Sequence, residues 1–181
     1  MKESKKLIIS GLFTALTAIS AFIKIPLPYI PISLQVFFVM LAGIILGSKW
    51  GMISQLAYGI LGLVGIPIFS YGGGFWYIIH PTFGYLIGYI IAAYIIGIVI
   101  EKTNKHDFRA SVLACMLGLL IIYGLGLPYF AFILNLTTNT QDILRYVIWT
   151  GFLVTLPGDL IKVALCSLIV QRLPKSIFLN K

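Results

Sequence analysis

The chemical groups that stand out in this chain are the carboxylate of Asp159 and the amine of Lys162, which lie three residues apart in the otherwise apolar segment LPGDLIKVAL. Residues at this spacing share one face of a helix, so the two charges can form a pair. Pro157 suits the first position of a helix, and the positive pole there favours an anionic ligand group. The pair could bind a ligand, act as an acid and a base, or serve only as a buried ion pair between helices.

A second group of polar side chains closes a glycine-rich aromatic loop. The run YGGGFWY begins at Tyr71, and the motif HPTFGY follows it at the predicted start of a helix. Glycines widen the range of backbone conformations in such a loop, whose aromatic side chains could cover a small ligand or form a belt at the membrane interface. The candidate ligand contacts in and near this loop, and at the start of the helix after the proline-rich segment, are Gln35, Gly73, His80, Thr82 and Tyr85.

The amino-acid composition indicates whether these groups belong to a soluble protein or to a membrane protein. The chain has 181 residues, of which 60% are hydrophobic and 10% are charged, and its mean hydropathy is +1.03. A soluble domain has about 25% charged residues, so this chain cannot cover a core with polar surface. No Asp, Glu, Lys or Arg occurs in residues 50–100 or 110–141. Because these runs lack the alternation of barrel strands, we predict an all-α integral membrane protein, not a soluble or disordered chain.

We predict six transmembrane helices arranged as a single domain, residues 1–181. Pro26, Pro28 and Pro31 end the first helix, and Gly47–Gly51 is predicted to form the tight turn between the second and the third. The predicted helices are residues 5–23, 33–46, 52–65, 82–100, 110–134 and 157–172.

The basic residues predict the orientation, because cytoplasmic loops of membrane proteins are rich in Lys and Arg. Ten of the thirteen basic residues share one side if both termini, the turn between helices 2 and 3, and the loop between helices 4 and 5 are cytoplasmic. These ten are Lys2, Lys5, Lys6, Lys49, Lys102, Lys105, Arg109, Arg172, Lys175 and Lys181. The opposite side keeps Lys24 and Arg145. The net charge of +8 therefore indicates topology and not nucleic-acid binding, and a ligand site is expected among the longer external loops.

Helix 1 carries small residues four apart, a spacing that lets membrane helices approach closely. The pairs are Gly11 with Ala15, Thr14 with Ala18, and Thr17 with Ala21. This face could pack inside the protein or dock a second membrane protein.

Several catalytic motifs are missing from the sequence. It contains no Walker-type phosphate loop, no H-E-x-x-H motif and no G-x-S-x-G motif. One Asp and one Lys do not make a proton relay across the bilayer, so ion-driven transport is poorly supported. We predict no metal, no catalytic residue and no cofactor.

Four runs of sequence together resemble one known family. They are KIPLPYIPISLQ from Lys24, QLAYGILGLVGIPIFSYGGG from Gln55, PTFGYLIGY from Pro81 and LPGDLIKVAL from Leu156. With their order and spacing they resemble the BioY family, the biotin-specific substrate-binding (S) subunits of energy-coupling-factor (ECF) transporters, over nearly the whole chain.

The resemblance implies a six-helix plasma-membrane protein of bacterial type that captures biotin at the extracellular side. It implies partners that hydrolyse ATP, namely two ATPase subunits joined through a transmembrane coupling protein, whereas this chain is not an enzyme. It assigns Asp159 and Lys162 to the biotin pocket, with Tyr85 as a further contact. His80 stands where many members carry Asn, so the polar contact there departs from the family.

The resemblance also favours docking of the coupling protein on the small face of helix 1, which comprises Gly11, Ala15, Ala18 and Ala21. The alternatives to biotin capture are binding of another vitamin, a small membrane enzyme that uses Asp159 and Lys162, and a scaffold without a ligand.

Overall fold

The computed structural model describes residues 3–103, 107–138, 142–174 and 177–178, and most of them are helical. Predicted features at Lys2, Lys105, Lys175 and Lys181 lie outside these residues. The α-helices are α1 Glu3–Ser20, α2 Gln35–Leu63, α3 Phe83–Thr103, α4 Phe108–Thr137, α5 Ile143–Ile148 and α6 Leu156–Arg172. A 3₁₀ helix spans Phe75–Ile79, a π-helical turn spans Trp149–Leu153, and two short strands are β1 Lys24–Ile25 and β2 Ile32–Ser33.

Four helical stretches of the described chain are long and apolar enough to cross a membrane, which confirms the prediction of a largely helical membrane protein. They are Gln35–Leu63, Phe83–Thr103, Phe108–Thr137 and Ile143–Arg172. The N-terminal helix α1 is not among them, because its 18 residues include the charged Glu3, Lys5 and Lys6.

The helix α2 folds back on itself at Gly47. That residue has φ 80° and ψ −176°, outside the helical region, in a conformation that glycine adopts without steric cost. The side chains of Gln35 and Tyr58 are joined by a hydrogen bond of 2.7 Å, although a straight helix would separate them by about 35 Å. The two arms of α2, before and after Gly47, therefore lie side by side. The predicted turn over Gly47–Gly51 is thus shortened to one non-helical residue.

The last apolar region differs from its prediction. Helix was expected only for residues 157–172, but α5 and the π-helical turn make residues 143–153 helical as well. Pro157 lies in the first turn of α6, as predicted, because its missing N–H is no loss there. The helix α4 continues through Pro128 to Thr137, beyond its predicted end at residue 134.

The proline-rich segment after α1 forms a small antiparallel hairpin, which the all-α prediction missed. Its register pairs Lys24 with Ser33 and Ile25 with Ile32. Prolines between the two strands prevent helix formation, and the hairpin delivers Ser33 to the start of α2.

The helices pack in a bundle with α3 between α2 and α4, and α6 against α4 and α2. Hydroxyl groups of α1 join it to the second arm of α2, since Ser10 donates to the Trp50 carbonyl at 3.2 Å and Thr14 donates to the Ser54 carbonyl at 2.8 Å. At one end of the bundle, the Ser48 N–H donates to the Glu101 carboxylate at 2.7 Å. This contact holds the Gly47 fold-back beside the end of α3.

The predicted small face of α1 is divided by this packing. Gly11 and Ala15 are exposed, Ala18 is half-buried, and Ala21 is fully buried. Thr14 and Thr17 point inward and hydrogen-bond within the bundle. The four small residues therefore do not present one continuous surface, and only Gly11 and Ala15 are openly available to a partner.

Candidate ligand-binding site

A polar cavity lies where the hairpin, the glycine-rich loop and the adjoining ends of several helices meet. Its apolar lining comes mainly from the hairpin and the helix walls: Ile30, Pro31, Ile32, Val36, Leu86 and Ile122. Residues with polar side chains complete the lining: Ser33, Gln35, Ser70, Tyr77, Thr82, Tyr85, Tyr89, Tyr123, Thr155, Asp159 and Lys162. Because every polar group in such a cavity needs a partner, this lining favours a ligand with several hydrogen-bonding groups.

The buried ion pair of α6 lines this cavity. Asp159 and Lys162 are 5% and 6% exposed, and Lys162 Nζ lies 2.6 Å from Asp159 Oδ1. The hydroxyl of Tyr123 on α4 donates to Asp159 Oδ2 at 2.6 Å and lies 2.9 Å from Thr155 Oγ1. The carboxylate is therefore held by one partner on its own helix and another on α4.

These groups keep unused hydrogen-bonding capacity. Lys162 has three N–H donors, and within the described chain its ammonium makes one hydrogen bond, to Asp159. The carboxylate of Asp159 can accept about four hydrogen bonds and receives two, from Lys162 and Tyr123. The pair can thus offer both donors and acceptors to one ligand without carrying net charge.

The π-helical turn positions Tyr85. The Tyr85 hydroxyl donates at 3.1 Å to the carbonyl of Gly151, a residue of that turn. The ring of Tyr85 lies against Gly126 on α4, where an added Cβ would sit 2.7 Å from ring atoms. Two glycines on different helices therefore make room for this one side chain.

Gln35 lies at the centre of a second polar network. Its Oε1 accepts from Ser33 and from Ser70, each at 2.9 Å, and its Nε2 donates to Tyr58. The Tyr58 hydroxyl in turn donates to the Ile68 carbonyl at 3.0 Å. This network fixes the amide and leaves one N–H of Nε2 for a further acceptor.

A third network connects Tyr77, Thr82 and His80. The Tyr77 hydroxyl and His80 Nδ1 each lie 2.8 Å from Thr82 Oγ1, and the Thr82 N–H donates to Nδ1 at 3.3 Å. Since Nδ1 accepts, the ring is neutral with its proton on Nε2, and burial lowers the pKa of His80 accordingly. Burial also raises the pKa of Tyr77 to about 12, so its hydroxyl remains a donor at neutral pH.

The structure places five predicted contacts on the cavity wall and two elsewhere. Asp159, Lys162, Tyr85, Gln35 and Thr82 line the cavity. His80 stands behind Thr82 and stacks on Tyr77, with ring centroids 4.8 Å apart. Gly73 is exposed and packs its backbone against Ile66, where a Cβ would lie 2.2 Å from the carbonyl oxygen.

Sequence reasoning missed most of the hydroxyl groups in the lining. The missed contacts are Ser33, Ser70, Tyr89, Tyr123 and Thr155, whereas Tyr77 belongs to the aromatic run that was expected to cover a ligand or to form an interface belt. The spacing of Tyr85 and Tyr89, one helical turn apart, was the available signal for Tyr89. Tyr123 gave no comparable signal, because a single Tyr in an apolar helix is common at membrane interfaces.

Comparisons with known proteins agree with the family resemblance that the sequence motifs indicated. A protein-family sequence model, described as the BioY family, matches residues 1–178 of this chain. The chain belongs to the BioY family. It is 42% identical to a probable biotin transporter BioY of Lysinibacillus sphaericus over 174 residues, which covers 96% of this chain and 89% of that protein.

A second BioY relative and a crystal structure extend the comparison. The biotin transporter BioY of Thermotoga maritima is 40% identical over 172 residues, covering 94% of this chain and 96% of the relative. A crystal structure of the S-component for biotin from an ECF-type ABC transporter superposes with a TM-score of 0.82 at 31% identity. That superposition covers 95% of this chain and 93% of the other.

Proposed function

We propose that this BioY-family chain captures biotin at the extracellular side of the plasma membrane and acts as the biotin-specific S subunit of an ECF-type ABC transporter. The observation that carries the proposal is the buried set of Asp159, Lys162 and Tyr123, which lines a cavity and keeps free donors and acceptors. Membership of the BioY family supports biotin as the ligand in preference to another vitamin.

The lining matches the chemistry of biotin. Its ureido group has two N–H donors and one carbonyl acceptor, which complement the carboxylate of Asp159 and the ammonium of Lys162. Its bicyclic ring and side chain are apolar and fit beside residues such as Leu86 and Ile122. Binding of this kind is recognition without reaction, so turnover belongs to ATPase partners.

We propose six membrane crossings with both termini in the cytoplasm. The crossings are α1, the two arms of α2, α3, α4, and the stretch from α5 to α6. The contact of Ser48 with Glu101 supports this topology, because it joins two connections that the basic residues assign to the cytoplasm. The exposed residues Gly11 and Ala15 of α1 are the proposed contact for a transmembrane coupling protein, which would join the chain to two ATPases.

Biotin binding by the purified chain in detergent or nanodiscs tests the function. Calorimetry is preferable to tryptophan fluorescence, because Trp50, Trp76 and Trp149 do not line the cavity in the described structure. We expect one-to-one binding of biotin, without turnover and in preference to other vitamins.

Substitutions in the ion pair test the site. Asp159→Asn leaves the buried ammonium of Lys162 without a counter-charge, and Lys162→Met leaves the buried carboxylate of Asp159 without its cation, so we expect biotin affinity to fall at least about tenfold. Lys49→Met, on an exposed lysine far from the cavity lining, is the control. Absence of biotin binding by the unmodified chain contradicts the function, whereas normal binding by both variants contradicts only the site.

A further inference from the structure

Lys24 is a cation beside the cavity, and the proposed function has so far given it no role. It lies on β1, is half-buried, and pairs in register with Ser33 on β2. Its ammonium donates to the Ser70 carbonyl and lies 4.6 Å from the centroid of the Tyr71 ring. The position is thus built from three contacts and is not a freely solvated surface lysine.

Two neighbours connect Lys24 to the ligand cavity. Ser33, its partner across the hairpin, and Ser70, its hydrogen-bond acceptor, both line the cavity. Their hydroxyls converge on the same oxygen of Gln35, at 2.9 Å each. Lys24 therefore contacts two residues of the cavity wall, Ser33 through the pairing of the two strands and Ser70 through a hydrogen bond.

The charges around the cavity are not balanced without a ligand. Lys162 is neutralised by Asp159 at 2.6 Å, and this is the one ion pair among the residues that the structure describes. Lys24 has no carboxylate within ion-pair distance in that part of the chain. The Tyr71 ring stabilises a nearby cation only partly, so an anion beside Lys24 would gain a favourable partner.

We propose that Lys24 binds the carboxylate of the ligand at the mouth of the cavity, with the ureido ring of biotin directed toward Asp159 and Lys162. The inference rests on the proposed function, since it assigns the two ends of biotin to two parts of the same site. A carboxylate placed at the inner pair would meet the negative charge of Asp159, whereas the neutral ureido group can use both members of that pair. Lys24 has two further N–H donors for the carboxylate after its bond to Ser70.

The assignment predicts how the unmodified chain discriminates between ligands. Biotin and its neutral amide share the ring system and differ in the charge at the far end. We expect biotin to bind about tenfold more tightly than the amide, which is the scale of a charge-assisted hydrogen bond. The preference should shrink as salt is added, because a half-exposed ion pair is screened.

The substitution Lys24→Gln tests the residue directly by calorimetry with both ligands. We expect biotin affinity to fall about tenfold while amide affinity stays within about twofold, so that the preference disappears. Lys24→Arg should keep the preference, since it retains the charge. Two controls remove a positive charge elsewhere: Arg145→Gln, exposed on the same proposed side, and Lys49→Gln, which lies 5.8 Å from the Trp50 ring on the opposite side.

The outcomes separate this inference from the function. If the unmodified chain does not bind biotin, the proposed function is wrong. If it binds biotin and the amide equally, or if Lys24→Gln weakens both ligands alike, biotin capture stands and the role of Lys24 is wrong. If Lys24→Gln fails to fold, equal binding of biotin and its amide by the unmodified chain still contradicts the role of Lys24.

Discussion

At the residue scale, two buried charged side chains, Asp159 and Lys162, mark the cavity of this BioY-family protein. Asp159 receives Lys162 from its own helix and Tyr123 from α4, so the carboxylate is oriented from two sides. Both charged residues could be predicted from the sequence as candidate site residues, because a charge within an apolar segment is rare and costly. The sequence did not predict Tyr123, because the helix α4 gives the side chain its partner only when it packs on α6.

His80 leads to a prediction at the same scale. Its lowered pKa means that the unfolded chain binds its proton more readily than the folded one, so stability is complete above the unfolded pKa and declines as pH falls below it. Between about pH 7.5 and about pH 5, the melting temperature should fall more for the unmodified protein than for His80→Asn.

Thermal unfolding at the two pH values, followed by tryptophan fluorescence, measures this difference. His106→Asn is the control, because it removes the other histidine of the chain. Identical pH dependence in the unmodified protein and in His80→Asn would show that Thr82 does not require a neutral imidazole.

At the element scale, apolar runs between polar breaks located the helical segments, and turn residues located the fold-back near Gly47. The π-helical turn Trp149–Leu153 was not predictable in this way, because no residue pattern distinguishes it from a regular helix. The hairpin of Lys24–Ile25 and Ile32–Ser33 was also missed, since two-residue strands are too short to show alternation. The hairpin supplies Ile32 and Ser33 to the cavity wall, and the π-helical turn contacts the wall through the bond from the Tyr85 hydroxyl to the Gly151 carbonyl.

The fit of Tyr85 between two helices gives the element-scale prediction. Gly126→Ala puts a Cβ 2.7 Å from the Tyr85 ring, so the ring must move and its bond to Gly151 is weakened. Overpacking of this kind costs about 1–3 kcal/mol, and we expect both a lower melting temperature and biotin affinity reduced about tenfold.

Gly124→Ala is the matched control on the same helix, since no atom lies within 4 Å of its added Cβ. Calorimetry with biotin and thermal unfolding should separate the two variants. Equal behaviour of both would mean that the position of Tyr85 is not set by contact with α4.

At the scale of the whole molecule, the loops at one end of the bundle are connected to one another and to neighbouring helices. The Tyr71 hydroxyl donates to the Leu27 carbonyl at 3.0 Å, and the Tyr129 hydroxyl donates to the Ile78 carbonyl. Tyr29 of the proline-rich segment contacts the ring of Tyr146, with centroids 6.0 Å apart. These contacts join the proline-rich segment and the glycine-rich loop to each other and to α4 and α5.

The exposed side of α1 gives the last prediction, on the partner. Ala15 is exposed on α1, while Thr14 donates to the Ser54 carbonyl and Thr17 accepts from Gln55 on α2, so Ala15→Trp adds bulk outside the fold. We expect unchanged biotin binding but about tenfold less recovery of the chain with a coupling protein and its ATPases, because close helix approach depends on small residues. Leu120→Trp, on an exposed face of α4, is the control for bulk alone. Co-purification from membranes that contain all subunits measures assembly, and full recovery of Ala15→Trp would place the partner on another face.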